Sequence, residues 1–217
     1  MNPERGRFPN SLIDELAADL APVVPIRLWH GAALVALSAL ATIVLVELLD
    51  GLWRGIATGD ASTIFFIANG MFGLLGAAAA GAVIHMASPR VGNRHEGARW
   101  SAAMLGLLPL SALFVLGVEG LGSAVTNDAY GLHCLLACMG FGLVTALALA
   151  LWLRRGAPVS LVSAGTLTGI ASGAIGSFAY GLACPIDTIA HLGFFHAGSV
   201  VIAGVLGRFA IPPLLRW

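Results

Sequence analysis

Hydrophobic positions in this chain gather into six long runs, separated by short connections that carry nearly all of the charge. The runs cover residues 28–49, 63–86, 100–118, 131–153, 159–183 and 189–211. Each is roughly 20 residues long, which at 1.5 Å of helical rise per residue matches the ~30 Å hydrocarbon core of a bilayer. Ahead of them, residues 11–21, "SLIDELAADLA", show a different pattern. Leu12, Ile13, Leu16, Ala17 and Leu20 fall on one face of a helix, and Asp14, Glu15, Ala18 and Asp19 on the other. Ser11 with Asp14 resembles a capping box, and Pro22 and Pro25 end the helix before the first apolar run.

Composition agrees with a lipid solvent. The chain of 217 residues is 58% hydrophobic and 10% charged, with a mean hydropathy of +0.90, against the roughly 25% charge of a water-soluble domain. The polar start, "MNPERGRFPN", argues against a cleaved signal peptide, which needs an early apolar stretch. Net charge is zero, so nothing electrostatic favours direct contact with nucleic acid. All 11 basic residues are arginine. On an alternating six-helix path, Arg5, Arg7, Arg27, Arg90, Arg94, Arg99, Arg154, Arg155, Arg208 and Arg216 fall on one side, and Arg54 alone falls on the other. The positive-inside rule then puts both termini in the cytoplasm. The expected fold is an all-α polytopic membrane protein with six transmembrane helices. Residues 1–27 form its cytoplasmic N-terminal segment and residues 28–217 its membrane domain.

Small residues mark how the helices approach. Gly165, Gly169, Gly173, Ser177 and Gly181 recur every four positions in the fifth run, an extended small-xxx-small row that lets backbones come close in lipid. The fourth run has a matching row of Cys134, Cys138, Gly142, Ala146 and Ala150, which predicts that the two rows meet. Pro109 predicts a kink in the third run. No Asp, Glu or Arg sits near the middle of any run, which disfavours a pump or an ion-coupled transporter. Phosphate-binding glycine loops, HExxH and GxSxG are missing as well, so neither an enzyme nor a cofactor is expected.

The chemistry rests on three cysteines. "YGLHC" at residues 130–134 opens the fourth run and "YGLAC" at residues 180–184 closes the fifth, so Cys134 and Cys184 reach the same outer boundary. An oxidising outer compartment suits a disulfide or a metal-responsive thiol pair there; two small buried residues at an interface are the plain alternative. Counted along straight helices, Cys184 lies ~9 Å beyond Cys134 on the membrane axis, more than a disulfide tolerates, unless Pro185 ends the fifth helix early. A metal site would draw on His133, Cys134, Cys138 and Cys184, with His191 or His196. Yet His133 points about 100° away from Cys134 on a helix, so His133 and Cys138 are weak metal candidates. His191 and His196, five apart, lie on different faces of a regular helix, which disfavours a haem pair. The thiols, rather than a metal cage, are the expected site.

The order "LIDELAADLAPVVPIRLWHGAAL", six helices, "YGLHC", "YGLAC" and a closing "GRFAIPPLLRW" resembles the NrsF-type membrane anti-sigma factors of proteobacteria, over nearly the whole chain. The family consists of negative regulators of extracytoplasmic-function sigma factors. The resemblance implies that the short cytoplasmic N-terminus holds such a sigma factor, which would place Leu12, Ile13, Leu16 and Leu20 at the partner. This agrees with the acidic polar face of that helix, which anionic headgroups would repel and which suits docking into a groove of a cytoplasmic partner. It further implies that two cysteines near the periplasmic face, Cys134 and Cys184 by position, take part in sensing. A histidine precedes the second cysteine in the family pattern and acidic residues follow it; here Ala183 and "PID" stand in those places. The expected function is an inner-membrane anti-sigma factor that releases its partner on an oxidative or heavy-metal signal. The alternatives are a small metal-binding, redox or transport membrane protein, or a structural membrane subunit.

Overall fold

The computed structural model describes residues 11–18, 26–88, 96–119 and 128–215. These are helices and connecting turns, with no strand among them. A short α1 (Ser11–Ala18) precedes the long helices. Residues 19–25, which include Leu20 and the rest of the helix expected to residue 21, lie outside the described residues. Six spans long and apolar enough to cross a membrane follow among the described residues. They are α2 (Leu28–Leu49), α4 (Thr63–Met86), the pair α5 (Glu96–Leu105) and α6 (Leu107–Glu119), α7 (Gly131–Leu153), α8 (Leu161–Gly181), and a final span from α9 (Ile189–His191) to α10 (Ala197–Leu215). A single turn, α3 (Gly55–Thr58), lies between α2 and α4.

Local chemistry sets these bounds. α2 runs out at Asp50, and Gly51 at φ 78° turns the chain through a left-handed conformation that glycine adopts without a Cβ penalty. Ser62 caps α4 by accepting from the Phe65 backbone N–H at 3.1 Å, and Ser160 caps α8 by accepting from Ser163 N–H at 3.3 Å. The third span breaks at Gly106, not at Pro109 itself. A proline ring collides with the carbonyl four residues before it, here that of Leu105, so the break falls one turn upstream.

The outward faces are apolar. Leu48, Phe114, Leu143 and Phe209, on four different spans, are each more than half exposed, a surface that only lipid covers without penalty. Inside, α8 is the hub, packed against α4, α7 and α10. The glycine row of α8 does not meet the cysteine row of α7 as the sequence predicts. Gly165, Gly169 and Gly173 face α10, where a Cβ on Gly165 would come 2.5 Å from Gly207 O and one on Gly169 would strike Ala203 O. The α7 row meets α8 one face round. There a Cβ on Gly142 would lie 2.6 Å from Ser172 O, and one on Gly176 would strike Cys138 O. On a third side, a Cβ on Gly76 of α4 would fall 2.7 Å from Ile175. The difference has a simple cause: small residues cover three faces of α8, so spacing alone names no single partner for any of them.

The bundle has two distinct ends. One gathers Ile26, Leu28, Ala87, Ala98, Leu153 and Leu215 in a single apolar cluster, so the start of the first span and the end of the last lie together. The opposite end holds Val46, Cys134, Cys138, Tyr180 and Cys184.

These contacts separate two kinds of glycine. Gly169→Leu is expected to cost several kcal/mol or to prevent folding, because overpacking a close backbone contact already costs about 1–3 kcal/mol for a methylene or two. Gly140→Ala, where a Cβ meets nothing within 4 Å, is expected to be neutral or to stabilise α7 by up to about 1 kcal/mol. Thermal unfolding of the detergent-solubilised variants, followed by circular dichroism, measures both.

Candidate functional site

The cysteine-bearing end is assembled from three pieces of backbone. Asp128 opens the first: its carbonyl accepts from Gly131 N–H at 3.2 Å and its Oδ1 from Tyr130 N–H at 3.2 Å, which starts α7 with Cys134 and Cys138 on successive turns. The second is the stop of α8. The helix ends at Gly181, three residues before the cysteine, and the turn is held by Cys184 N–H donating to Tyr180 O at 3.1 Å and Trp53 N–H donating to Leu182 O at 2.9 Å. Cys184 therefore leaves the helix axis instead of continuing outward along it. The offset read for straight helices does not keep the thiols apart: the two sulfurs lie 3.9 Å from each other.

The third piece is the start of the last span. Thr188 accepts from His191 N–H at 3.3 Å and caps α9, after which Leu192–His196 form a π-helical turn. In a regular α-helix, residues five apart lie about 140° round the axis from each other, at 3.6 residues per turn. The wider i→i+5 turn takes up most of that angle, so His191 and His196 point to the same side with ring centroids 5.3 Å apart. The expectation that these histidines occupy different faces is thereby corrected; π-bulges of this kind recur at functional sites.

The side chains converge in a protected space. His191 Nδ1 lies 2.6 Å from Asp128 Oδ2 and donates to it, which turns Nε2 toward Cys184 Sγ at 3.5 Å. His196 Nδ1 lies 3.5 Å from Cys138 Sγ, and its Nε2 has no hydrogen-bond partner. Both imidazoles are 0% exposed, whereas Asp128 retains 13% exposure at the rim. One donor atom each from Cys134, Cys184, His191 and His196 all lie within 4.8 Å of one another. Tyr180 stacks over His196 and Phe141, with centroids at 6.3 and 5.8 Å, and the Phe195 ring sits where a side chain on Gly131 would be. Hydrogen bonding from Cys134 and then His191, opposed by burial, pulls the Cys184 thiol down from its ordinary range. The thiolate is the form that attacks disulfides and binds metals.

The structure thus brings Cys134 and Cys184 together, with Cys138 one layer inward against His196. It leaves His133 exposed, its ring edge-on to Tyr180 at 6.1 Å and outside the cluster. Leu12, Ile13 and Leu16 lie on α1, while Leu20 is outside the described residues. Asp128, which carries His191, has no signature in the sequence beyond its place two residues before "YGLHC".

The described residues thus form a helical bundle of six spans of membrane-crossing length and apolarity, with a thiol–imidazole cluster at one end and the start of the first span beside the end of the last at the other. Comparison with known proteins identifies the family. The family described as negative regulator of sigma F matches residues 16–217. The anti-sigma-F factor NrsF of Caulobacter vibrioides is 31% identical to this chain over 96% of the chain and 99% of that protein. No solved structure matches. The chain belongs to the NrsF family of anti-sigma factors.

The sulfur geometry predicts selective oxidation. Diamide treatment of the purified protein is expected to link Cys134 to Cys184 with loss of two hydrogens and to leave Cys138 open to alkylation after denaturation. Peptide mass mapping checks this; a Cys134–Cys138 link would contradict the packing described.

Proposed function

We propose that this anti-sigma factor holds an extracytoplasmic-function sigma factor at the cytoplasmic face of the inner membrane through the α1 segment, and lets it go when Cys134 and Cys184 react with an oxidant or a soft metal ion. The observation that carries the reading is the placing of the thiol pair. It joins α7 to the turn after α8 at the end of the bundle opposite the start of α2, to which the N-terminal segment is attached. The arginines beside α2, α5, α7 and α10 favour a cytoplasmic location for the latter end and a periplasmic location for the thiols. In this reading residues 1–27 form the docking segment, Leu12, Ile13, Leu16 and Leu20 enter a groove of the sigma factor, and residues 28–217 form the lipid-embedded sensor.

The energetics limit what one bond can do. Shifting a two-state equilibrium from mostly bound to mostly released takes about 5.5 kcal/mol of differential stabilisation. A disulfide supplies roughly 2–4 kcal/mol, so oxidation alone gives graded rather than complete release.

Two experiments test this. Full-length protein is expected to co-purify with its sigma factor from solubilised membranes, whereas deletion of residues 1–25, or Leu12→Asp with Leu16→Asp, removes the partner without removing the membrane protein. A truncated protein that still restrains sigma-dependent transcription would sink the docking reading. In a transcriptional reporter, Cys134→Ser and Cys184→Ser are each expected to abolish most of the induction by oxidant or cadmium; full induction in both variants would remove the sensor role.

A further inference from the structure

We propose that Cys134, Cys184, His191 and His196 form a four-coordinate site for one thiophilic divalent cation of the zinc class, with Asp128 and Cys138 orienting the two imidazoles. The donor set is the first support. Two thiolates and two imidazoles are the ligands such ions take in tetrahedral sites, and here they come from three different pieces of backbone that meet at one point. The distances are the second. Metal bonds of 2.3 Å to sulfur and about 2.0–2.1 Å to nitrogen put tetrahedral ligand atoms roughly 3.3–3.8 Å apart. The observed Cys134–Cys184 and Cys184–His191 separations are 3.9 and 3.5 Å, and the widest pair in the cluster stays within 4.8 Å.

The surroundings of the imidazoles point the same way. Metal-binding histidines usually donate the other ring N–H to a carboxylate or carbonyl, which fixes the tautomer. His191 does this to Asp128 at 2.6 Å, leaving Nε2 as the free lone pair turned to the sulfurs. His196 places Nδ1 against Cys138 Sγ and keeps Nε2 fully buried with no partner, a costly state for a polar atom that a metal ion would relieve. Charge favours the arrangement as well. A divalent cation with two thiolates and two neutral imidazoles carries no net charge, and each thiol that enters it passes its proton to solvent. A neutral centre is one that the apolar end of a membrane bundle accommodates.

As the chemistry of the sensor this inference rests on the thiol reading above; as a binding site it is testable without the sigma factor. Full-length protein, purified reduced and metal-free in detergent, is titrated with cobalt(II) and then zinc(II). One equivalent of cobalt per chain is expected, with the visible bands of a tetrahedral centre and a thiolate charge-transfer band, both lost on addition of zinc. X-ray absorption of the zinc form is expected to give two sulfur and two imidazole neighbours. Asp128→Asn is expected to weaken binding by 10–100-fold with the spectrum retained, and His133→Ala to leave affinity unchanged. No stoichiometric metal in the wild-type protein, or a centre bound by sulfur without imidazole, overturns the site. Those readings come from the unsubstituted chain, so a variant that fails to fold does not obscure them. They also leave the N-terminal deletion test of sigma-factor docking independent.

Discussion

The close approach of α4, α7 and α10 to α8 is the constraint on which the rest of this structure depends. Lipid tails are as apolar as a leucine side chain, so helices in a membrane gain little by hiding apolar surface from one another. Association rests on dispersion and on polar contacts made at short range. α8 meets that demand by carrying glycine, alanine and serine on three faces, so that its neighbours pack on its backbone. The short distance then makes side-chain hydrogen bonds reachable: Ser177 Oγ lies 2.7 Å from Ser199 Oγ and donates to His196 O at 3.0 Å. The same serine that seals α8 to α10 thereby holds the π-turn where His196 leaves it.

That link explains why the cluster sits at one end of the hub. A π-turn opens the regular i→i−4 ladder, and it persists here because Ser177 and Ser199 both donate to the His196 carbonyl, at 3.0 and 2.7 Å. On the other side, α8 stops at Gly181, where any Cβ would strike Asn69 Oδ1 of α4. The chain turns under that contact and delivers Cys184 toward α7. The close packing, the early helix stop and the π-turn all rest on one small-residue core, and together they converge two thiol and two imidazole side chains.

Much of this was legible in the sequence, for reasons that are local. Span length and apolarity are properties of consecutive residues, so the boundaries of α2, α4 and α7 follow from hydropathy alone, and the odd-and-even count of crossings brings Cys134 and Cys184 to one end. The family resemblance read from the ends of the chain and the two cysteine blocks was also sound. What escaped depends on angles between elements. The partner of each glycine row was ambiguous because α8 is small on three sides. The thiol separation stayed open because a straight helix through Cys184 sets the two apart and only a helix end signalled by Pro185 would close the gap; Gly181 is the last residue of that helix. His191 and His196 looked divergent because an α-helical angle was applied to a stretch that is π-helical. Asp128, far away in sequence, could be joined to His191 only by the fold.

The two ends of the bundle are tied by elements that are stiff along their length. Cys134 lies near one end of α7 and Leu153 at the other; the chain beyond Leu153 is bonded to the end of α4 through Ala157 N–H and Ala87 O at 3.0 Å. α10 runs from the π-turn to Leu215 in the apolar cluster that also holds Leu28, at the start of the first span. Backbone contacts as close as those at Gly142, Gly169 and Gly207 leave no slack for continuous bending, so a change at the thiols has few ways to be absorbed locally. Packed interfaces of this kind move between discrete arrangements rather than deforming gradually. A bond formed among α7, the Cys184 turn and the α9–α10 span would draw together three segments that all extend to the arginine-rich end. In the proposed mechanism, that mechanical continuity lets a reaction of two sulfurs at one membrane face alter the hold on a partner at the other, with the graded output that a few kcal/mol allows.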